Sequence, residues 1–212
     1  MTRKIEKRED FFQENFRILS NVIFGLCMFA SVLKIEFTST DLAEPELLKL
    51  LAYNINALLN FAVAFVFLAL FWIKFIARLN HIARIDNGLM TLWLIYLATL
   101  CLYPFAENVL GNYPGSIVAQ VTFSSLWALI GLVSLFTWWY AYRKQLIYEG
   151  MSKMTIDRLL YECFPEPIFA LLSIPCALIS DWAYYLTLLL TIPANIWIGR
   201  RFPDSIPEDN QA

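Results

Sequence analysis

Few residues in this 212-residue chain have the type and spacing to do reactive chemistry. There is one histidine, His81, and four cysteines, Cys27, Cys101, Cys163 and Cys176. An imidazole titrates close to neutral pH and can sense it. The plainer reading of His81, which lies in a basic connecting segment, is a solvated loop residue. No two cysteines form a CxxC, and no His, Cys, Asp and Glu cluster has metal-ligand spacing. The cysteines therefore read as small packing residues, and neither a metal nor a cofactor is expected. Seven glycines form no phosphate-binding loop. Asp86, Glu162 and Glu166 are the acids worth testing in an enzyme that acts on lipid, but no nucleophile or base is spaced to work with them. An enzyme is not expected.

The pattern that remains acts through size and dielectric. Between residues 18 and 35, Leu19, Ile23, Leu26, Ala30 and Leu33 recur at helical spacing, beside a second stripe of Ser20, Cys27 and Ser31, with Asn21 and Gly25 adjacent. One reading is a helix–helix interface, in which small and hydroxyl residues allow close approach. The other is a conduit: copies of such a helix around an axis would stack rings of Leu and Ala, and bulky apolar rings gate by dewetting.

These residues must be positioned by elements that cross a bilayer. The chain is 59% hydrophobic and 16% charged, against roughly a quarter charged in soluble domains. Apolar runs long enough for a ~30 Å hydrocarbon core predict six transmembrane helices at 18–35, 50–76, 89–105, 117–142, 159–179 and 182–198. The fold class is thus all-α and polytopic. A head (1–17) and a tail (201–212) flank a single six-helix domain (18–200). The first run lacks a small-residue cleavage pattern and reads as a retained helix. Pro165, Pro167 and Pro175 interrupt the fifth span, and the short Asp181 turn predicts a hairpin of the last two. With the N-terminus inside, fourteen of the sixteen Lys and Arg fall in inside segments, and only Lys34 and Lys49 lie outside. That asymmetry places both termini in the cytoplasm and supports the count of six. Trp138, Trp139, Tyr140 and Tyr142 at one end, and Trp182, Tyr184 and Tyr185 at the other, read as interfacial aromatics. A net charge of −2 gives no reason to expect nucleic acid as a partner. The helix centres hold almost no carboxylate, which argues against a pump or a coupled transporter. Glu36, Asp41, Glu44 and Glu46 in the first outer loop could concentrate cations at a symmetric mouth.

From about residue 16 to 200 the sequence resembles the prokaryotic form of transmembrane protein 175, a family of six-helix, homotetrameric potassium channels of the cell membrane. The family's R-x-x-x-F-S-D opening aligns with Asn15-Phe16-Arg17-Ile18-Leu19-Ser20-Asn21, of which Ser20 matches strictly. Val22-Ile23-Phe24-Gly25-Leu26, Leu33-Lys34-Ile35-Glu36, Trp72, Pro104-Phe105 and Trp139-Tyr140-Ala141-Tyr142-Arg143 follow the family pattern. The family's Arg and Asp are here Asn15 and Asn21. Its second-helix His is Phe75, and its third-helix Asn is Trp93. The resemblance implies a potassium-permeable cation channel, its pore lined by the first helix and narrowed at Leu26, at Phe29 or Ala30, and at Leu33. The selectivity threonine of some members is replaced by Phe29. Because the polar network that orients the first helix is largely replaced, a non-conducting scaffold that keeps the fold is the alternative. No filter of TVGYG type is present.

Overall fold

The computed structural model describes the backbone of residues 2–32 and 44–202, and side chains of residues 14–31, 55, 58 and 61–202. The described secondary structure is helical: α1 (Thr2–Val32), α2 (Glu44–Leu79), α3 (Asn87–Cys101), α4 (Tyr103–Asn112), α5 (Ile117–Arg143), α6 (Lys153–Tyr161), α7 (Pro165–Ala177), α8 (Asp181–Leu189) and α9 (Thr191–Arg201). Three pairs are broken helices, so the segments make six rods: α1, α2, α3–α4, α5, α6–α7 and α8–α9. The sequence predicts the same six. Within the described residues, four stretches are by themselves long and apolar enough to cross a membrane: Phe61–Leu79, Asn87–Asn112, Ile117–Arg143 and Lys153–Ala177.

The breaks follow from proline chemistry, because proline lacks the N–H of the helical ladder and disfavours helical geometry in the residue before it. Pro104 sits in the first turn of α4, just past the break at Leu102. The predicted end of the third span at 105 is therefore a kink, and the rod continues to Asn112. Pro165 and Pro167 start α7 after a three-residue interruption, and Pro193 follows the interruption at Leu190. Helix starts are capped by side chains: Asp86 accepts from Leu89 N (2.7 Å), Ser152 from Thr155 N (3.1 Å) and Ser180 from Ala183 N (3.2 Å). The Ser180 cap turns α7 into α8 over three residues, which makes the predicted hairpin. α1 also starts earlier than the apolar pattern indicates, since the charged head forms its first turns.

Packing is tightest where α5 crosses α7. A Cβ on Gly131 would lie 2.5 Å from Pro167 Cδ and 2.9 Å from Pro167 N, so only glycine fits there. Alongside, a buried polar chain knits α5, α7 and α8. Ser124 and Ser173 share a hydrogen bond (2.7 Å), Ser124 donates to Tyr184 Oη (3.2 Å), and Tyr184 donates to the Gln120 carbonyl (3.1 Å). Tyr184 and Trp138 are accordingly buried to 0% and 2% exposure and belong to the core, not to the interfacial belt read from sequence. Trp139, Tyr142 and Trp182 are exposed.

The loops sort into two ends. At the basic end, Ala83 N donates to the Leu146 carbonyl (2.8 Å) and Tyr148 N to the His81 carbonyl (3.2 Å), joining the α2–α3 and α5–α6 connections. At the opposite end, Gln120 Nε2 donates to Asp181 Oδ1 (2.7 Å) and Tyr185 Oη to the Pro114 carbonyl (3.0 Å), joining the α4–α5 and α7–α8 connections. His81 itself donates from Nδ1 to the Ala77 carbonyl (2.6 Å) and closes the end of α2.

Candidate functional site

α1 has two unlike faces. Phe16, Ser20, Phe24, Cys27 and Ser31, spaced by three and four residues, are buried against the bundle. Their small polar members are satisfied locally: Ser20 Oγ donates to the Phe16 carbonyl (2.7 Å) and Ser31 Oγ to the Cys27 carbonyl (3.3 Å). Cys27 Sγ reaches the Leu100 carbonyl at 3.7 Å and is a packing thiol. The opposite face carries Ile18, Leu19, Val22, Leu26 and Phe29, with Leu26 and Phe29 the most open at 60% and 59% exposure. Gly25 lies on this face with nothing within 4 Å of a Cβ added to it.

The predicted stripe and the open face share Leu19 and Leu26. Ala30 and Ile23 lie half-buried on the flank, whereas Phe29 and Val22 point outward. Ser20, Cys27 and Ser31 lie behind this face. Leu33 and the loop acids Glu36 and Asp41 lie outside the described residues.

Two side-chain hydrogen bonds tie the edge of α1 to α2 and to the turn that follows it. Trp72 Nε1 donates to Asn21 Oδ1 (2.9 Å), and Arg17 Nη2 donates to Asn80 Oδ1 (2.7 Å). An amide oxygen at position 21 thus accepts the hydrogen bond that a carboxylate there could also take. Behind α1, Phe75 and Trp93 do not leave a hole where the resemblance places a His and an Asn. They build an aromatic cluster instead: Phe16 stacks on Trp93 (4.9 Å between centroids), Phe75 on Tyr96 (5.5 Å), and Phe24 meets Phe75 (5.8 Å). Aromatic pairs at such distances add roughly 0.5–1.5 kcal/mol each beyond area burial. Shape complementarity among these rings thus contributes to the orientation of α1.

One constellation escapes the sequence reading. Lys74, on the inner side of α2, donates to Glu166 Oε1, to Asn195 Oδ1 (2.8 Å) and to the Glu162 carbonyl (2.9 Å). Asn195 Nδ2 also donates to Glu166 Oε1 (3.2 Å), and Arg158 Nε to Glu162 Oε1 (2.8 Å). Arg78, one turn beyond Lys74, reaches Cys163 Sγ (3.1 Å). The Lys74 and Glu166 side chains are 11% and 8% exposed. The signal was present in the spacing: cations at 74 and 78, and carboxylates at 162 and 166, each repeat one helical turn apart. The ring fixes α2 to α7 and α9, which holds the surface against which α1 packs.

An all-helical membrane protein of six rods, with a first helix open on one apolar face, is the class these features define. Residues 15–104 match the protein family described as the endosomal/lysosomal potassium channel TMEM175. The whole fold is similar to that in the crystal structure of a lysosomal potassium-selective channel TMEM175 homolog from Chamaesiphon minutus. The TM-score is 0.69 at 18% identity, over 91% of this chain and 98% of that one. The resemblance to the TMEM175 family drawn from sequence is borne out. No curated protein matches the chain.

Proposed function

We propose that this chain is a potassium-permeable cation channel, a homotetramer whose pore is lined by the open face of α1, with its apolar constriction at Leu26 and Phe29 and flanked by Ala30. The single observation that carries this is the division of α1 into a fully packed face and an apolar open one, within the segment that matches the channel family. Gly25 supports self-association. Glycine costs a helix about 1 kcal/mol relative to alanine, and no contact among the described residues calls for it. A neighbouring helix that approaches closely supplies a reason. Leu33 would extend the narrow stretch. Rings of Leu and Phe act through pore diameter and dehydration. The permeant species are K+ and other monovalent cations.

The positive-inside asymmetry supports a cytoplasmic basic end, with both termini, in a cell-membrane protein. The head (1–17) and the tail (201–212) then flank the membrane domain there. The test is potassium flux into proteoliposomes: flux is expected from the wild-type protein, and Leu26→Ala is expected to raise it severalfold. Flat flux from both correctly folded proteins overturns the reading. The aromatic clamp of Phe16, Phe75 and Trp93 favours a second reading, a non-conducting scaffold with the same fold, which that flat result would support.

A further inference from the structure

The interruptions in the last two rods leave an open cleft of about 580 Å³ between α6–α7 and α9. That volume falls in the roughly 300–1,000 Å³ class of small-molecule sites. Phe164, Ile168, Phe169 and Trp197 give it an apolar wall, and Tyr161 and Arg201 also line it. Trp197 is 64% exposed although it lines an apolar hollow. Among the described residues no carboxylate lines the cleft. Arg201 is the one charged residue among the described residues that line it, and Arg200 is exposed on the same last turn. The cations nearer the bundle are engaged, Lys74 with Glu166 and Arg158 with Glu162. The Arg201 guanidinium has no ion pair or side-chain hydrogen bond among the described residues. An apolar hollow with an aromatic rim and one unengaged guanidinium at the basic end is complementary to a molecule with an acyl chain and an anionic head.

We propose that this cleft binds one anionic phospholipid of the inner leaflet, its acyl chain against Phe169 and Trp197 and its phosphate on Arg201. The leaflet assignment rests on the cytoplasmic placement of the basic end under Proposed function. Basic pockets between membrane helices on that side are the usual seat of such headgroups. A guanidinium can meet a phosphate with two parallel hydrogen bonds.

The test uses the purified full-length protein, stripped of lipid in detergent and titrated with phosphatidylglycerol, with phosphatidylcholine of the same chains, or with inorganic phosphate. Binding is read by native mass spectrometry and by melting temperature. Phosphatidylglycerol is expected to remain at one molecule per chain and to raise the melting temperature by several degrees more than phosphatidylcholine. Arg201→Gln, at an exposed helix end, is expected to cut that retention at least threefold. Arg143→Gln is expected to leave it unchanged, because that side chain lies over Trp139, outside the cleft. Ala194→Trp, which fills the hollow, is expected to displace both lipids. Equal retention of the two lipids, equal retention by wild type and Arg201→Gln, or an equal shift with inorganic phosphate overturns the proposal. So does phosphatidylglycerol retention that rises when residues 203–212 are removed, since the tail would then be the occupant. Protease access to a tag on the tail in sealed vesicles reports the sidedness separately. Lipid failure with a cytoplasmic tail overturns this inference alone, and an external tail overturns the orientation on which it rests.

Discussion

Gly131 and Gly25 are both glycines inside long apolar helices, and their surroundings are opposite. At Gly131 the backbone of α5 lies against Pro167 so closely that no Cβ fits, while at Gly25 a Cβ would meet nothing. The first belongs to a closed part of the molecule, where α5, α7 and α8 share buried hydroxyls and α2 is locked to α7 and α9 through Lys74. The second belongs to an unfinished part, a helix packed on one face only. The difference teaches where to look for function: the chain satisfies its own packing in the five-rod bundle and leaves α1 half-covered. Substitutions in the two regions should therefore report on different things, stability in the first and assembly or permeation in the second.

The largest effect is expected at Lys74. Lys74→Met leaves Glu166 buried without its cation, and breaking a buried pair from one side costs roughly 3–5 kcal/mol. The melting temperature in detergent should fall steeply, and the double variant Lys74→Met/Glu166→Gln should recover much of the loss. If the single variant melts like the wild type, α2 is not held by this ring and the closed region is misassigned.

Gly131→Ala comes next. Its Cβ must displace a proline ring and main-chain nitrogen, and overpacking of this kind costs about 1–3 kcal/mol. The check is thermal unfolding alongside Gly88→Ala. The three atoms nearest a Cβ at Gly88 all belong to the far end of the Tyr140 side chain, whose hydroxyl donates to Asp86 (2.8 Å). Gly88→Ala should therefore be the milder of the two. The reverse order would mean that the α5–α7 crossing yields more readily than the Tyr140 latch.

How much of this contrast was legible in the sequence depends on what sets each feature. Six rods could be read because hydrocarbon thickness fixes their length and because the cations fall on alternate connections. The kink at Leu102 was missed because Pro104 at an apparent helix end reads as a terminator, while only tertiary packing decides that the chain resumes its course. Two stripes on α1 could be separated by residue type, Ser and Cys against Leu. The exact rotation could not, because Ala30 and Phe29 are equally at home in lipid and only the neighbours Phe75 and Trp93 settle which turns inward. Those same aromatics look like losses when compared with a polar pattern, and their mutual stacking emerges only in three dimensions. Leu33 lies outside the described residues, so the outer end of the stripe remains as the sequence reading leaves it.

A smaller effect is expected where the two regions meet. Trp72→Phe keeps the ring but removes the hydrogen bond to Asn21, a net loss of about 0.5–1.5 kcal/mol. Because Trp72 and Asn21 are both partly open, the lower half of that range is expected. Asn21→Asp, which keeps an acceptor for Trp72, should melt no lower than the wild type. Were Asn21→Asp as damaging as Trp72→Phe, the bond would not be what sets the edge of α1.

The smallest effect on stability has the most to say about function. Gly25→Ala adds a methyl where the chain has nothing to clash with, and it replaces a poor helix former by the best one. An isolated chain should gain up to about 1 kcal/mol from helix propensity. If four copies meet on this face, the same methyl pushes apart helices that approach through the glycine, so the tetramer should weaken while the chain itself becomes more stable. Melting temperature and oligomer mass, measured on one detergent sample, should then move in opposite directions, a combination that neither a lipid-facing surface nor a general folding defect produces. A more stable chain with unchanged oligomer mass would place Gly25 against lipid or in an open pore lumen, and would remove close helix approach as the reason for the glycine.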